Sequence, residues 1–237
     1  MTRCSFRHEL KYFIAPYRIN VLRQRLRCLL RPDPHTGPAG CYRITSLYFD
    51  DLDDSAVFEK LSGVRDRQKI RVRIYGGSDE IMVLEKKVKR GDGILKERVR
   101  ISRPLYEALR QGNPEPLLDT DSSLLHEVAW QITNRRLRPK VIVDYVREAY
   151  VYPVGNVRIT FDQRLRSGLT NLDLFRQAPL IPVLEDGLAI MEVKYDAFLP
   201  GPVQALIQCG DLTRQAASKY VLCCAVAKSH AWEDTLV

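Results

Sequence analysis

Along much of this chain hydrophobic and polar residues alternate strictly, the mark of a strand with one apolar and one polar face. FRHELKYFI (6–14), YRITSLYFD (42–50), KIRVRIY (69–75), IMVLEKKVK (81–89) and ILKERVRIS (94–102) carry this period of two. KVIVDYVREAYVY (140–152), NVRITFDQR (156–164) and LAIMEVKYD (188–196) carry it too, which makes eight candidate strands. Asp92-Gly93, between the fourth and fifth, is a hairpin turn signal. The Pro- and Gly-rich RPDPHTGPAG (31–40) reads as a loop, and 167–187 as a loop with one short extra strand.

Helical spacing appears between the strands. PYRINVLRQRLRCLL (16–30) puts Val21, Leu22, Leu26 and Leu29 on one stripe, with Pro16 suited to a first turn. DLDDSAVFEKLSG (51–63) and SRPLYEALRQG (102–112) start with capping residues and stop at glycine. SSLLHEVAWQITNRRLRP (122–139) is amphipathic with a cationic last turn, as the helix dipole favours. A last helix is expected over roughly 203–230. Strands outnumber helices without βαβ alternation, so the expected class is antiparallel α+β, as a single domain over 1–237.

The polar faces of these strands are unusually charged. Arg7, Glu9 and Lys11 share one parity; so do Lys69, Arg71 and Arg73; Glu85, Lys87 and Lys89; and Lys96, Arg98 and Arg100. Tyr145 with Arg147, then Arg158, Thr160, Asp162 and Arg164, and finally Glu192 with Lys194, continue the pattern. An open sheet could turn this face to water. A closed barrel could instead line its bore with it, apolar face outward against helices. The second arrangement gathers cations that persist only beside anions. Glu9, Glu85 and Glu192 compensate in part, and a polyanionic ligand would supply the rest.

Composition narrows the partners. The 237 residues include 37 Lys plus Arg against 29 Asp plus Glu, a net charge of +8 that favours an anion. No apolar run reaches a membrane span, and no signal-peptide core opens the chain, so a cytoplasmic location is expected. The six cysteines show no metal-binding spacing and read as reduced thiols. Nucleic acid is disfavoured, because Tyr145 is almost the only aromatic on the basic faces. The ExK pairs Glu9-x-Lys11, Glu85-x-Lys87 and Glu192-x-Lys194 each set a carboxylate and an ammonium about 7 Å apart on one face. Such a carboxylate can hold a divalent cation while the lysine meets a phosphate bound to it. A cross-strand salt-bridge lattice accounts for the same spacing.

These motifs resemble the catalytic domain of vacuolar transporter chaperone (VTC) polyphosphate polymerases, a branch of the triphosphate tunnel metalloenzymes. The resemblance runs through RHELKY (7–12), SLYFDD (46–51), KIRVRIYG (69–76) and LEKKVKRGDGILKERV (84–99). It continues through YVR (145–147), VRITFD (157–162), MEVKYD (191–196) and ASKY (217–220). It implies a closed antiparallel eight-stranded barrel with flanking helices, and transfer of the ATP γ-phosphoryl group onto a polyphosphate or triphosphate chain.

By this resemblance Lys11, Arg71, Arg73, Lys87, Arg147, Arg158 and Lys219 contact the transferring phosphates. Lys69, Lys96, Arg98, Tyr145, Lys194 and Ser218 assist in binding. Glu192, with Glu9 and Glu85, is the expected site for Mn²⁺ or Mg²⁺. Hydrolytic relatives begin with ExExK, whereas Arg7 here replaces the first carboxylate, which leans toward the polymerase branch. A tripolyphosphatase or nucleoside triphosphatase of the same fold, or a non-catalytic polyphosphate-binding module, stays as the alternative.

Overall fold

A computed structural model describes residues 7–91, 93–208 and 212–233. Cys4, Cys209 and the Asp92 turn position lie outside the described residues. In chain order the elements are β1 (His8–Ile14), α1 (Pro16–Arg27), β2 (Arg31–Pro32), β3 (Tyr42–Asp50) and α2 (Ser55–Leu61). They continue with β4 (Arg67–Tyr75), β5 (Ser78–Arg90), β6 (Gly93–Arg100), α3 (Arg103–Gln111), α4 (Glu115–Leu118), α5 (Ser123–Arg135) and β7 (Arg138–Tyr152). The last are β8 (Val157–Ser167), β9 (Ile181–Pro182), β10 (Ala189–Tyr195), α6 (Gly201–Ile207) and α7 (Lys219–Glu233).

All eight strands read from the alternation are present, and the class is antiparallel α+β with flanking helices. Two further strands, β2 and β9, are only two residues long. Each ends on a proline, whose missing N–H stops the ladder.

The chain divides into two compact units: Met1–Arg43 with Tyr145–Leu165 and Pro182–Ser218, and Ile44–Asp144 with Arg166–Ile181 and Lys219–Val237. The strand order of the first is β1-β10-β8-β7, with β2 on β7 and β9 on β8. The second runs β7-β3-β4-β5-β6, β7 being long enough to serve both. The expected closed eight-stranded barrel is therefore corrected: among the described residues there are ten strands, and the hydrogen-bonded order has two ends, β1 and β6. The outer edge of β1 is already taken. Gln215 N–H donates to the Lys11 carbonyl at 2.9 Å, and Tyr12 bridges Arg214. At the other end β6 alternates exposed Lys96, Arg98 and Arg100, the charged dress that keeps an edge strand from pairing further.

That β1 contact also corrects the last helix. Instead of one helix over 203–230, α6 and α7 are separate, because Gln208 turns extended and residues 214–215 lie along β1.

Each unit packs its apolar parity on helices. In the first, Ile159, Phe161, Met191 and Val193 bury against Ile19, Leu22 and Leu26 of α1 and Val203 and Ile207 of α6. In the second, Leu47, Ile70, Val72, Ile74 and Leu84 meet Tyr106 and Leu109 of α3 and Leu125 and Val128 of α5. Each such side chain contributes about 1.5–3 kcal/mol by leaving water. The apolar face is thereby spent on the core, so the charged parity must point the other way.

The segment 167–187 gains an explanation as well. The Tyr106 hydroxyl accepts from Leu174 N–H at 2.8 Å, and Leu174 seats in the core of the second unit. Among the described residues Cys28, Cys41, Cys223 and Cys224 are unpaired thiols, and no helix is long and apolar enough to cross a membrane.

Candidate functional site

In the first unit the ladder register sets opposite charges face to face. Glu9 stands across from Lys194 and Lys11 across from Glu192, while on the next strand Thr160 is opposite Glu192 and Arg158 opposite Lys194. Lys11 Nζ lies 3.1 Å from Glu9 and 3.5 Å from Glu192, and donates to the Ala217 carbonyl at 3.2 Å. Lys194 Nζ is 3.0 Å from Glu192. Arg147 grips Asp162 with two nitrogens at 2.6 and 2.7 Å and reaches Glu192 at 3.8 Å. Burial disfavours the Arg147 charge, but Asp162 outweighs it and keeps the guanidinium protonated. Its carbon also lies 5.3 Å from the centre of the buried Tyr145 ring.

Arg158 is held by residues from outside the strands. Its Nε donates to Asp33 at 2.9 Å and its Nη2 to the Tyr42 hydroxyl at 3.0 Å. Asp33 is buried, and its other oxygen accepts from His35 N–H at the start of a short turn. The Pro-rich loop thus fixes a guanidinium. Fixing it in advance removes the reorganisation an anion would otherwise have to drive.

The second unit carries a different arrangement. Lys69 of β4 is the ladder partner of Lys87 on β5, and Lys87 of Lys96 on β6. Three lysines therefore stand in one row across three strands, although like charges directly opposite are unfavourable. The adjacent row reads Arg71, Glu85, Arg98. Arg71 Nε donates to Glu85 Oε2 at 2.7 Å and its Nη1 to the Tyr48 hydroxyl at 2.6 Å. Arg73 lies 3.8 Å from the same carboxylate oxygen and donates to Ser46 at 3.4 Å. Lys96 donates to the second oxygen, Oε1.

Burial pushes the Glu85 carboxyl up, but Arg71, Arg73 and Lys96 outweigh it and hold the group well below the usual carboxylate range. Partial desolvation of this half-exposed side chain, with Arg71 and Arg73 nearby and against the pull of Glu85, brings the Lys96 ammonium down to about 8. Lys69 rests 5.0 Å above the Tyr220 ring, which stacks on Tyr48. Lys219 opens α7, and Ser218 precedes it.

The residues expected at the site thus gather as two groups. Glu9, Lys11, Tyr145, Arg147, Arg158, Glu192, Lys194 and Ser218 belong to the first unit. Lys69, Arg71, Arg73, Glu85, Lys87, Lys96, Arg98 and Lys219 belong to the second. Sequence reasoning missed Asp33, Tyr42, Tyr48 and Asp162 as holders of the arginines. Parity had placed Asp162 on the right face, but no local signal marks the other three.

Mn²⁺ and Mg²⁺ seek hard oxygen donors. Glu9 and Glu192 offer carboxylates in one unit, and Thr160 is the ladder partner of Glu192. Thr160 is 1% exposed, and its Oγ1 has no hydrogen-bond partner. A buried hydroxyl left so costs about 1–3 kcal/mol, and an oxygen-seeking cation beside Glu192 would relieve it. Carboxylate and hydroxyl oxygens are donors of the kind such an ion takes. Among the described residues no group of three or more His, Cys, Asp or Glu side chains is placed to hold a metal, so water and phosphate oxygens would complete the shell. Glu85 is held more tightly, with both oxygens accepting charge-assisted hydrogen bonds from Arg71 and Lys96, whereas Lys11 stands 3.5 Å and Arg147 3.8 Å from Glu192.

Comparison with known proteins matches the VTC domain family model to residues 6–228. Among solved structures, a Hippeastrum protein described as an adenylyl cyclase with a dominant triphosphatase activity shares 14% identity at a TM-score of 0.53. The match covers 94% of this chain and 96% of that one. A protein of Pyrococcus horikoshii, also 14% identical, reaches a TM-score of 0.50 over 94% of this chain and 99% of its own. These likenesses are of fold. No curated protein sequence matches at a significant level.

Proposed function

Because this chain belongs to the VTC domain family, we propose that it is a metal-dependent phosphotransferase moving the γ-phosphoryl group of ATP onto polyphosphate. The observation that carries this reading is the row Lys69, Lys87, Lys96. Neighbouring strands lie about 4.8 Å apart, so the row repeats a cation at that spacing perpendicular to the strands. Glu85 eases this repulsion at Lys96, and a ligand that is itself a line of negative charges would ease it along the whole row. A linear phosphate chain has that form; a single carboxylate or a flat base does not.

The chemistry asks little covalent work of the protein. The bond from the γ-phosphorus to the ADP oxygen breaks as one forms to a terminal oxygen of the acceptor chain. Alignment and neutralisation of the spread charge are what lower the barrier. Arg71, Arg147 and Arg158 are each held by a carboxylate and a tyrosine ring or hydroxyl, so their donors are fixed before substrate arrives. Glu192, with Thr160 and Glu9, would hold Mn²⁺ or Mg²⁺, which when bound adds positive charge against the phosphate oxygens.

The second reading keeps the ligand and makes water the acceptor, as in the triphosphatase described from Hippeastrum. The residue just before β1 speaks against it. Where a further carboxylate would serve a second metal stands Arg7, which lies 3.1 Å from Asp196.

The test is the fate of the phosphoryl group. Purified protein is incubated with ATP, a short polyphosphate primer and Mn²⁺, and ADP, orthophosphate and chain length are resolved. ADP with chains longer than the primer is expected. ADP with orthophosphate alone would replace the polymerase by the hydrolase, and no ADP at all would remove both.

A further inference from the structure

We infer that Glu85 is an internal counter-ion that competes with the phosphate chain, and so sets how tightly that chain is held. The inference rests on the phosphate-chain reading above and adds a role to a residue that spacing alone had placed at a metal.

Three observations lead to it. First, Glu85 is nearly out of water, at 4% exposure, and both of its oxygens accept charge-assisted hydrogen bonds. Oε2 takes Arg71 through two nitrogens, at 2.7 and 2.5 Å, with Arg73 at 3.8 Å, and Oε1 takes Lys96. Second, its ladder neighbours on both sides are cations, Arg71 and Arg98. One carboxylate thus faces several positive groups and leaves an excess of positive charge. Third, the adjacent row is the three-lysine row, so a phosphate chain lying there would pass one residue pair from this carboxylate.

Two opposed consequences follow. Without ligand, Glu85 lowers the repulsion among Arg71, Arg73 and Lys96, and so supports the fold. With ligand, the same charge repels the phosphates and shares the guanidiniums they need. A protein that must let its chain advance after each transfer gains from such a brake. A neutral side chain of the same shape would separate the two effects.

The experiment compares wild type with Glu85→Gln. Tripolyphosphate is titrated calorimetrically at moderate salt, melting is followed with and without tripolyphosphate, and Mn²⁺ is titrated without phosphate. The variant is expected to melt lower alone, to bind tripolyphosphate roughly tenfold tighter, as removal of one charge at about 5 Å in a partly screened site allows, and to bind Mn²⁺ as wild type does. A variant that folds only when tripolyphosphate is present supports the inference equally. Equal or weaker tripolyphosphate binding, lost Mn²⁺ binding, or a variant that stays unfolded with tripolyphosphate overturns it. If wild type itself does not bind tripolyphosphate, the phosphate-chain reading fails and this inference falls with it. If wild type binds and only the variant disappoints, that reading stands and Glu85 alone is misassigned.

Discussion

Asp162→Ala is expected to lower the unfolding free energy by about 3–5 kcal/mol, the range for stripping one partner from a buried ion pair. The Asp162 side chain is fully buried, and it takes both Arg147 nitrogens at hydrogen-bond distance. Removing it leaves a guanidinium that is 5% exposed as a residue and cannot become neutral. Glu192, at 3.8 Å from Arg147, is too distant to replace a bidentate grip. For a chain of this size the loss corresponds to a melting temperature lower by roughly 6–20 °C. Because the pair is shielded from solvent, added salt should not rescue it. Exchanging both partners, as Arg147→Met with Asp162→Leu, should recover much of the stability while losing phosphate binding. Thermal and urea melts of both variants beside wild type check this. A single-variant loss below about 1 kcal/mol would mean that Arg147 finds another partner.

Glu192→Gln should act on the chemistry instead. It is expected to reduce turnover by roughly 10²–10³-fold, the usual effect of deleting one preorganised electrostatic group, while tripolyphosphate still binds. The asymmetry follows from the surroundings. Glu192 contacts Lys11, Lys194 and Arg147, so the change removes negative charge from cations that meet phosphate. Anion binding should not suffer, whereas Mn²⁺ affinity, read by spin resonance without substrate, should fall with turnover. Lost folding and lost binding together would show Glu192 to be only a member of the salt-bridge lattice.

That lattice was legible in the sequence as parity and illegible as pairing. Alternation located every long strand, because burying one face forces a period of two. It could not find β2 and β9, since two residues carry no period. It also left the ends of the sheet open to either reading. The segment that covers β1, around Arg214 and Gln215, lies far from it along the chain and bears no strand pattern.

The site divides in the same way. Lys69, Arg71 and Arg73 announced themselves by spacing, but what orients them is tertiary. Tyr48 meets Arg71 because β3 pairs β4, and Asp33 meets Arg158 across 125 residues of chain. ExK spacing put Glu85 in one class with Glu9 and Glu192. Register separated them, since Glu85 faces Arg71 and Arg98 while Glu192 faces Lys11 and a threonine. Thr160 shared the parity of Arg158 and Asp162 all along. Only burial without a partner sets it apart.

The most direct measurement is calorimetric binding of tripolyphosphate to wild type and to Arg71→Ala with Arg73→Ala, with sulfate as a control anion and a salt series for each. The account predicts binding that far exceeds sulfate, weakens as salt rises, and falls roughly 10–100-fold or more in the double variant, since each charge-assisted hydrogen bond contributes about 1.5–3 kcal/mol. Wild-type binding no tighter than sulfate, or a double variant that binds as wild type does, would contradict it.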